Sequence, residues 1–408
     1  NMVLFEDAGY RGLLPLTYWR TVFGLRCGRK TLMDRAAMQL NCAVSGLWTR
    51  DWQAAVSAER FLVPVNQPVE AGAVLVNGRW LAQGPVEFAP GPFVGTSGGQ
   101  IAYISCDAAL ASRIGPQDLL DVERARTLLE SVAHGEVAAK LIDRPWDLIS
   151  SNAQALKADW QPDDRGREGK VSSSALMLEP DHIFIGPDAE VEPTAVMDAT
   201  GGPIYVSQGA RIRPHAYVEG PAYIGPGSVV HPHSHIRGGT TLGPMCKVGG
   251  EIDACIFAGY SNKQHHGFLG HAYVGSWVNL GAGTVNSDLK NTYGPVRAAL
   301  PDGEIDTGAI FYGAVIADHV KTGIQQNIPT GASIGFGAMA AVGRVLPKFV
   351  PSFSWMTEAG HSQGDPERLL STARKMMERR DVTCSEATTE LFREIARRAP
   401  AYESRTPN

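Results

Sequence analysis

The stretch Val206–Val248, VSQGARIRPHAYVEGPAYIGPGSVVHPHSHIRGGTTLGPMCKV, decides the fold of the C-terminal half, because its aliphatic residues recur at every sixth position. The successive members of the series are Val206, Ile212, Val218, Ile224, Val230, Ile236, Leu242 and Val248. Neither the period of a helix nor that of a flat strand gives this spacing. A triangular coil does, because each six-residue unit forms one strand and one turn, and three units complete a coil. We expect Val206, Ile224 and Leu242 to stack inside it.

The same period continues on both sides of this stretch. Upstream, Ile185 and Val191 continue it after a slip of three residues, and downstream it resumes at Val274 and Leu280. The later members are Ile310, Ile316, Ile328 and Ile334, with Thr322 as the one polar member. The pattern predicts a left-handed parallel β-helix of hexapeptide repeats. The period fails at 249–273 and again at 286–309, where we expect loops that leave the coil and carry functional residues.

The remaining segments predict an α/β domain before the repeat and helices after it. In the first domain we expect strands at Met2–Phe5 and Ala73–Val76. We also expect amphipathic helices at Thr31–Leu40 and Gln117–His134. Near the end, Asp365 followed by Pro366 predicts a helix start, and a second helix is expected over about 385–398. The expected domains are an α/β domain at 2–156, a polar linker at 157–180, the β-helix at 181–350 and a helical extension at 351–408.

The composition argues against several function classes. The net charge of −5 gives no reason to expect nucleic-acid binding, and no run of about 18 apolar residues exists that could span a membrane. The six cysteines form no CxxC pair, which is typical of reduced thiols. The N-terminal residues NMVLFEDAGY have neither a basic region nor a cleavage motif. We therefore expect a cytoplasmic protein.

Short motifs along the chain occur in an order that resembles a known family. They are LLPLT (Leu13–Thr17), LRCGRKTL (Leu25–Leu32), DRPWDL (Asp143–Leu148), GYSNKQHHGFLG (Gly259–Gly270), NLGAGT (Asn279–Thr284), SDLKN (Ser287–Asn291) and PSFSW (Pro351–Trp355). The chain resembles the bacterial sugar nucleotidyltransferase / N-acetyltransferase family, relatives of the bifunctional enzyme that makes UDP-N-acetylglucosamine, with a shortened N-terminal domain. The resemblance implies a nucleotidyltransferase-like α/β domain, a β-helix that uses acetyl-CoA, and a homotrimer with sites between subunits.

The resemblance places an acetyl-transfer site in and after the first interruption. His265 corresponds to the family's catalytic histidine, and an imidazole can take the proton of a sugar amine near neutral pH. Asn279 corresponds to an asparagine that positions the substrate. Ala282, and more weakly Ala314, correspond to residues against the pantetheine arm of the cofactor. Lys263 is expected either to pair with a substrate phosphate or to be a solvated loop lysine.

Some residues of this site leave the assignment open. His266 follows His265 directly, so either histidine could be the base, and loop histidines without a chemical role are the alternative. Phe268 stands where family members have a tyrosine. Asp288 stands where they often have asparagine, and a carboxylate there disfavours a sugar phosphate. The acceptor therefore need not be glucosamine 1-phosphate.

The resemblance also implies a nucleotide site in the first domain. Family members hold nucleotide phosphates on the backbone of a Gly-rich loop, and the thinned counterpart here is Gly9, Arg11 and Gly12. The basic residues that follow and could hold phosphates are Arg20, Arg26, Arg29 and Lys30. Where family members bind their metal through an aspartate, this chain has Arg79, so Mg²⁺ is kept only as a candidate cofactor.

A cluster of histidines offers a metal site as an alternative. His231, His233 and His235 alternate, and His215 lies one coil before His233. Three nitrogen ligands that converge on one point would form a zinc site. Because a turn falls within the run, we expect a surface ladder of His215 and His233 instead, and no metal site.

The sequence thus predicts an acetyl-CoA-dependent N-acetyltransferase that acts on an amino-sugar phosphate or nucleotide. The expected partners are a sugar phosphate or nucleotide sugar, with no nucleic acid and no membrane. One alternative is sugar-1-phosphate nucleotidyl transfer as the main activity. The other is a catalytically degenerate assembly protein that binds a sugar nucleotide.

Overall fold

A computed structural model describes residues 1–161, 164 and 166–404. The chain forms two compact units. The first contains 1–25, 30–144 and 386–394, and the second contains 26–29, 145–385 and the described part of 395–408. The second unit therefore starts well before the repeat itself.

The first unit is built on a six-stranded mixed sheet. Its strands, in the order in which they neighbour one another, are Val44–Trp48, Met2–Phe5, Val74–Asn77, Gln100–Ser105, Phe93–Ser97 and Ala133–Glu136. The first three are parallel to one another, and the fourth is antiparallel to both of its neighbours. The helices are α1 (Leu32–Gln39), α2 (Asp51–Phe61), α3 (Ala108–Ala111), α4 (Pro116–Leu119) and α5 (Val122–Leu129), with 3₁₀ turns at Ala8–Leu13 and Val22–Gly24. A short strand of this unit lies at Lys30–Thr31, and the short strand Arg26–Cys27 belongs to the second unit.

Most elements predicted for the first unit are present, and one prediction is wrong. The strand at Met2–Phe5 and the helix after Thr31 are confirmed, and Thr31 forms a capping box with Asp34. The single helix expected over 117–134 is instead α4, α5 and a strand. Asp121 accepts the backbone N–H of Glu123 at 3.0 Å as the N-cap of α5, so a new helix starts inside the expected one.

Parallel sheets form the three faces of a triangular coil in the second unit, as the six-residue period predicts. The strands of sheet 1 are Gly166–Arg167, Ile183–Ile185, Ile204–Val206, Ala222–Ile224, Thr240–Leu242, Ile256–Gly259, Tyr273–Ser276, Ala314–Ile316, Ala332–Ile334 and Phe349–Val350. The strands of sheet 2 are Lys170–Val171, Glu190–Val191, Arg211–Ile212, Val229–Val230, Lys247–Val248 and Asn262–Lys263. The strands of sheet 3 are Leu176–Leu178, Val196–Asp198, Tyr217–Glu219, His235–Ile236, Glu251–Asp253 and Phe268–Gly270. The left-handed β-helix is confirmed.

Sheets 2 and 3 continue into the last coils with sparser pairing. Single parallel bridges join Asn262 to Asn279 and Asn279 to Lys321. Beyond them, sheet 2 continues as Lys321–Thr322, Met339–Ala341, Ser354–Thr357 and Gly360–Gln363. Sheet 3 continues as Val285–Asn286, which pairs with Asn327–Ile328.

The register between coils confirms the expected stacking. Val206 lies opposite Ile224, and Ile224 lies opposite Leu242, so one regular coil takes 18 residues. The upstream slip gives a longer coil, because Ile185 lies opposite Val206. These four side chains have no exposed surface, and burial of each aliphatic side chain contributes about 2 kcal/mol to folding.

The first interruption of the period is not a loop that leaves the coil, so that expectation is wrong. Leu242 lies opposite Phe257, and Phe257 lies opposite Val274, so these coils take 15 and 17 residues while the sheets continue. These shorter coils have fewer residues at their corners, while their strands keep the pairing with the neighbouring coils. The second interruption does leave the coil, as an antiparallel hairpin of Arg297–Leu300 and Gly303–Asp306.

The segment expected to be a linker is already part of the β-helix. Gly166–Arg167, Lys170–Val171 and Leu176–Leu178 are the first strands of sheets 1, 2 and 3. Residues 162, 163 and 165 of the expected linker lie outside the described residues. The polar composition of 157–180 does not distinguish a linker from a coil, because the outer faces of a coil are also polar.

Three further helices are α6 (Pro145–Ala158), α7 (Pro366–Glu378) and α8 (Glu386–Tyr402). Asp365 caps α7 by accepting the Glu367 N–H, so the expected helix start is confirmed. Buried Asn152 in α6 donates to Gly239 O at 2.7 Å and so ties α6 to a corner of the β-helix. No described helix has the length and apolarity needed to cross a membrane.

Lys263 occupies an inward position of the coil that is otherwise aliphatic. It lies opposite Val248 in sheet 2 and is 1% exposed. Its Nζ donates to Gly249 O at 3.1 Å and to His265 O at 2.7 Å. Burial lowers the pKa of Lys263 to about 8. The lysine is therefore an internal tie for the corner that follows it.

The buried ammonium makes stability depend on pH. Between about pH 8 and the ordinary lysine value of 10.5, the unfolded chain binds more protons than the folded one, so the free energy of unfolding rises with pH. We expect the stability of the wild type to gain roughly 3 kcal/mol over this window relative to Lys263→Met. Denaturant unfolding at several pH values measures it. Lys170→Met, at an exposed position on sheet 2, is the matched control, and an equal pH profile for both variants would contradict the prediction.

Candidate functional site

His265 and His266 lie at the corner between sheets 2 and 3, in the turn from Asn262–Lys263 to Phe268–Gly270. Both side chains are exposed. The backbone of the turn is held from inside the coil by the Lys263 ammonium on His265 O. It is also held by the following coil, because Gly283 N donates to His266 O at 3.2 Å. Two ionisable rings thus stand on a fixed corner.

The imidazole of His266 is placed towards the following coil. The pKa of His231, which lies two coils before His265, is lowered mainly by burial, with the charge of His265 as a smaller contribution. The Nε2 of His266 lies 3.4 Å from the point that a Cβ on Gly283 would occupy. Gly283 follows Asn279 on the next coil. The structure therefore brings His266 towards the coil of Asn279.

Asn279 lies on the outer side of sheet 2 and links neighbouring coils. Its backbone bridges Asn262 on one side and Lys321 on the other. The Nδ2 of Asn262 donates to Asn279 Oδ1 at 3.3 Å. The pair presents two amides side by side, which can donate to and accept from a polar ligand.

A cleft of about 510 Å³, here named the basic cleft, opens over these amides. Its described lining residues are Lys247, Asn262, Gln264, Asn279, Lys321, Thr372, Lys375, Met376, Arg379 and Arg380. Half of them are cationic, and none of these lining residues is acidic. Gln264 immediately precedes His265, so the cleft reaches the histidine corner. A concave surface of one charge sign concentrates ligands of the opposite sign, so the basic cleft can bind a polyanion.

Two of the cations are fixed by the coil itself. Arg380 donates from Nη2 to Asn262 Oδ1 at 2.7 Å and from Nη1 to Met245 O at 3.0 Å. Lys321 donates to His319 O at 2.8 Å, and burial lowers the pKa of Lys321 to about 7. The charge of the cleft therefore changes near neutral pH.

None of the cations of the basic cleft was among the residues predicted from the sequence. Lys247 and Lys321 each precede an inward member of the six-residue series, so their outward position on sheet 2 could have been derived. Lys375, Arg379 and Arg380 could not, because no local pattern says which face of the coil α7 covers.

A second cleft, of about 640 Å³, follows the same corner beyond His266. Its described lining residues are Gly283, Gly323, Ile324, Gln325, Asn327, Ala341, Val342 and Gly343. Ala282 borders it, and Ala282 O accepts the Gln325 N–H at 2.6 Å. Small residues on successive coils leave the backbone open to an extended ligand, so Ala282 stays a predicted contact of the pantetheine arm.

Two predicted contacts of the acetyl-transfer site are corrected by the structure. Ala314 has no exposed surface and shares the inward face of its strand with Ile316, so it cannot touch a cofactor outside the coil. Lys263 is neither a loop residue nor open to a phosphate, because both of its carbonyl partners hold it inside.

Asp288 is engaged by a histidine that the sequence analysis did not consider. Its Oδ2 lies 2.9 Å from His271 Nδ1, and the His271 ring stacks on Phe311 at 5.3 Å. Asp288 is therefore paired and not an open substrate ligand. The contact between His271 and Asp288 could not be predicted from the sequence, because it depends on coil lengths that only the structure shows.

The glycines of the expected nucleotide loop serve packing. A Cβ on Gly9 would lie 2.4 Å from Arg79 Cζ, and one on Gly12 would lie 2.5 Å from Asp143 O. Both are thus needed for close approach of protein groups. Because Asp7 and Asp143 both bind Arg79, the residues at this sheet edge do not fit a Mg²⁺ ion.

The basic residues of the expected nucleotide site are dispersed. Arg11 is exposed, Arg20 is buried and Lys30 is partly buried in the first unit. Arg26 belongs to the second unit, where its backbone N donates to Tyr273 Oη at 3.0 Å. Arg29 forms an ion pair with Asp164 at 2.9 Å in the same unit. The backbone of Arg26 is therefore anchored to the β-helix, and a contact of its side chain with a nucleotide stays a prediction.

The histidine ladder is confirmed. The rings of His215 and His233 stack at 4.9 Å with an angle of 13°, while His235 pairs with Glu219 at 2.6 Å. Across residues 1–161, 164 and 166–404, no group of three or more His, Cys, Asp or Glu side chains is arranged to hold a metal ion.

The charge of Lys321 gives the basic cleft a pH dependence. Below about pH 7 the ammonium is protonated and attracts an anion, and above it the charge is lost. We expect the affinity for a phosphate-bearing polyanion, with coenzyme A as the probe, to fall roughly five-fold as the pH rises through this value. Titration calorimetry measures it, and Lys321→Gln should remove this component whereas Lys375→Gln should keep it. The same pH profile in wild type and Lys321→Gln would refute the assignment.

Comparison with known proteins agrees with the motifs. Residues 2–168 match the family model described as sugar nucleotidyl transferase. The bifunctional protein GlmU of Jannaschia sp. (strain CCS1) is 28% identical over 211 residues, which cover 50% of this chain and 42% of that protein. GlmU of Methanococcus aeolicus is 30% identical over 196 residues, which cover 48% of this chain and 41% of that protein. The matches thus span less than half the length of these relatives.

A solved structure of an Arabidopsis UDP-N-acetylglucosamine acyltransferase matches 59% of this chain and 93% of its own, at 14% identity and a TM-score of 0.26. The β-helix of this chain is established by the register of its own strands. Residues 2–168 are thus similar to the sugar nucleotidyl transferase family, and about half of the chain is similar to part of proteins named bifunctional protein GlmU, in agreement with the motifs.

Proposed function

We propose that the β-helix is an acetyl-CoA-dependent N-acetyltransferase that acts on an amino-sugar phosphate or nucleotide. One observation carries the proposal: Asn279 lies in a cleft lined by cations, and the cleft adjoins the corner of His265 and His266. Relatives named as bifunctional proteins, among them a sugar-1-phosphate nucleotidylyltransferase/acetyltransferase of Sulfurisphaera tokodaii, support the same class of chemistry.

The basic cleft fits the donor because coenzyme A carries several phosphate charges. Lys247 and Lys321 of the coil, Lys375 of α7, and Arg379 and Arg380 after α7 would pair with these phosphates. The glycine-lined cleft beyond His266 would take the uncharged pantetheine arm. The two clefts share the corner that carries the histidines, so the thioester would end near an imidazole.

The reaction assigns a role to each group at the corner. The acceptor amine attacks the thioester carbon, a C–N bond forms, and the C–S bond breaks. A histidine takes the proton that the amine loses and returns one to the leaving thiolate. Asn279 orients the acceptor, and backbone N–H groups of the corner stabilise the oxyanion. The correspondence with family members favours His265 as the base. The approach of His266 Nε2 to Gly283, on the coil of Asn279, favours His266 as the base.

Exposed apolar residues in and close to the second cleft fit the homotrimer that the resemblance implies. Ile324, which lines the cleft, is 73% exposed, and Val345, two residues after the lining residue Gly343, is 58% exposed. A neighbouring subunit would cover them. We propose that each complete site needs two subunits. Light scattering on the purified chain would show a trimer, and a monomer that is active would exclude the shared site.

We expect replacement of the base to lower the rate about 100-fold or more. The assay follows free thiol from acetyl-CoA with a panel of amino-sugar phosphates and nucleotides, for His265→Asn, His266→Asn and Asn279→Ala. His233→Asn, in the surface ladder, is the matched control. No thiol release by the wild type across the panel, or full activity of both corner variants, would contradict the proposal.

A further inference from the structure

Arg79 stands at the edge of the first unit's sheet where an α/β domain binds its ligands. Asp7 follows the strand Met2–Phe5, and Arg79 follows the parallel strand Val74–Asn77. Both lie at the carboxyl ends of parallel strands, which is the ligand-binding edge of such sheets. Asp143 reaches the same point from later in the chain.

The guanidinium of Arg79 is 1% exposed, and all of its N–H groups have acceptors. Nε donates to Asp7 Oδ1 at 2.8 Å, and Nη2 donates to Asp7 Oδ2 at 2.5 Å and to Gln100 Oε1 at 2.7 Å. Nη1 donates to Asp143 Oδ1 and, at 3.3 Å, to Ile142 O. A guanidinium has five such donors, so none remains for a ligand.

The carboxylate of Asp7 is equally engaged. Besides Arg79, its Oδ1 accepts the Gly9 N–H at 3.0 Å, and its Oδ2 accepts from Asn77 Nδ2 at 2.9 Å. A divalent cation needs lone pairs of such oxygens that are not already used. The close contact of Gly9 with the guanidinium shows that the loop is shaped around this side chain.

We infer that Arg79 is a built-in cation in the place of a divalent metal, so that the first domain takes no Mg²⁺ between Asp7 and Asp143. Any nucleotide or sugar phosphate that this domain binds is then bound without a metal at this position. Metal-dependent nucleotidyl transfer at this edge is excluded by the same contacts. Similarity to the family therefore does not carry the family's metal site into this chain.

The test uses Mn²⁺ alone as the probe, with electron paramagnetic resonance on the full chain. The wild type should show no stoichiometric site tighter than about 1 mM, a weak affinity on the usual scale. Arg79→Met should gain one site at least ten-fold tighter, and the double variant with Asp7→Asn should lose it. Arg126→Met removes an exposed ion pair with Glu123 and should gain nothing.

Two outcomes overturn the inference. One is a stoichiometric Mn²⁺ site in the wild type that Asp143→Asn abolishes. The other is a folded Arg79→Met, by circular dichroism, that still binds no Mn²⁺. If Arg79→Met does not fold, Arg79→Gln gives the same comparison with a side chain that keeps hydrogen bonds, and the wild-type titration decides independently.

Discussion

Backbone hydrogen bonding from coil to coil is the constraint on which the second unit depends. Its strands are mostly two or three residues long, so each is stabilised only by its neighbours above and below. The coil can lengthen or shorten at its corners, as it does between Leu242 and Val274, without breaking that pairing. Changes in coil length are therefore accommodated at the corners, and both clefts lie at corners or on outer faces.

The interior of the coil is polar under these clefts. Asn286 points inward, accepts the Gly270 N–H at 2.7 Å and donates to Gly270 O at 2.8 Å. Thr284 and Thr322 share a hydrogen bond at 2.9 Å, and Lys263 binds two carbonyls. An aliphatic side chain at these positions would leave buried backbone groups unpaired. At the corner where the proposed chemistry takes place, polar side chains inside the coil hold the backbone by hydrogen bonds, in place of aliphatic side chains that would only pack.

The sequence predicted the parts that depend on regular spacing. The inward stack, the outward histidine ladder and the cap of α7 all follow from local rules, and each is present. The errors concern places where a helix cap, an inward-facing side chain or a changed coil length departs from the simple periodic pattern. Asp121 divides one amphipathic run into two helices, Ala314 faces inward, and a corner shortened by a few residues reads in the sequence as an ejected loop. The pairing of His271 with Asp288 depends on those coil lengths and could not be derived beforehand.

The basic cleft is assembled from residues that are far apart in the order of synthesis. Lys247 and Asn279 belong to coils in the middle of the chain, whereas Lys375, Arg379 and Arg380 belong to α7 and the residues after it. During translation, the coils can form in sequence as the chain leaves the ribosome, each using the previous one as a template. The histidine corner would then exist before three of the five cations have been made. The cleft thus receives most of its positive charge last. A nascent β-helix would bind a polyanion only weakly before α7 and the residues after it have been made.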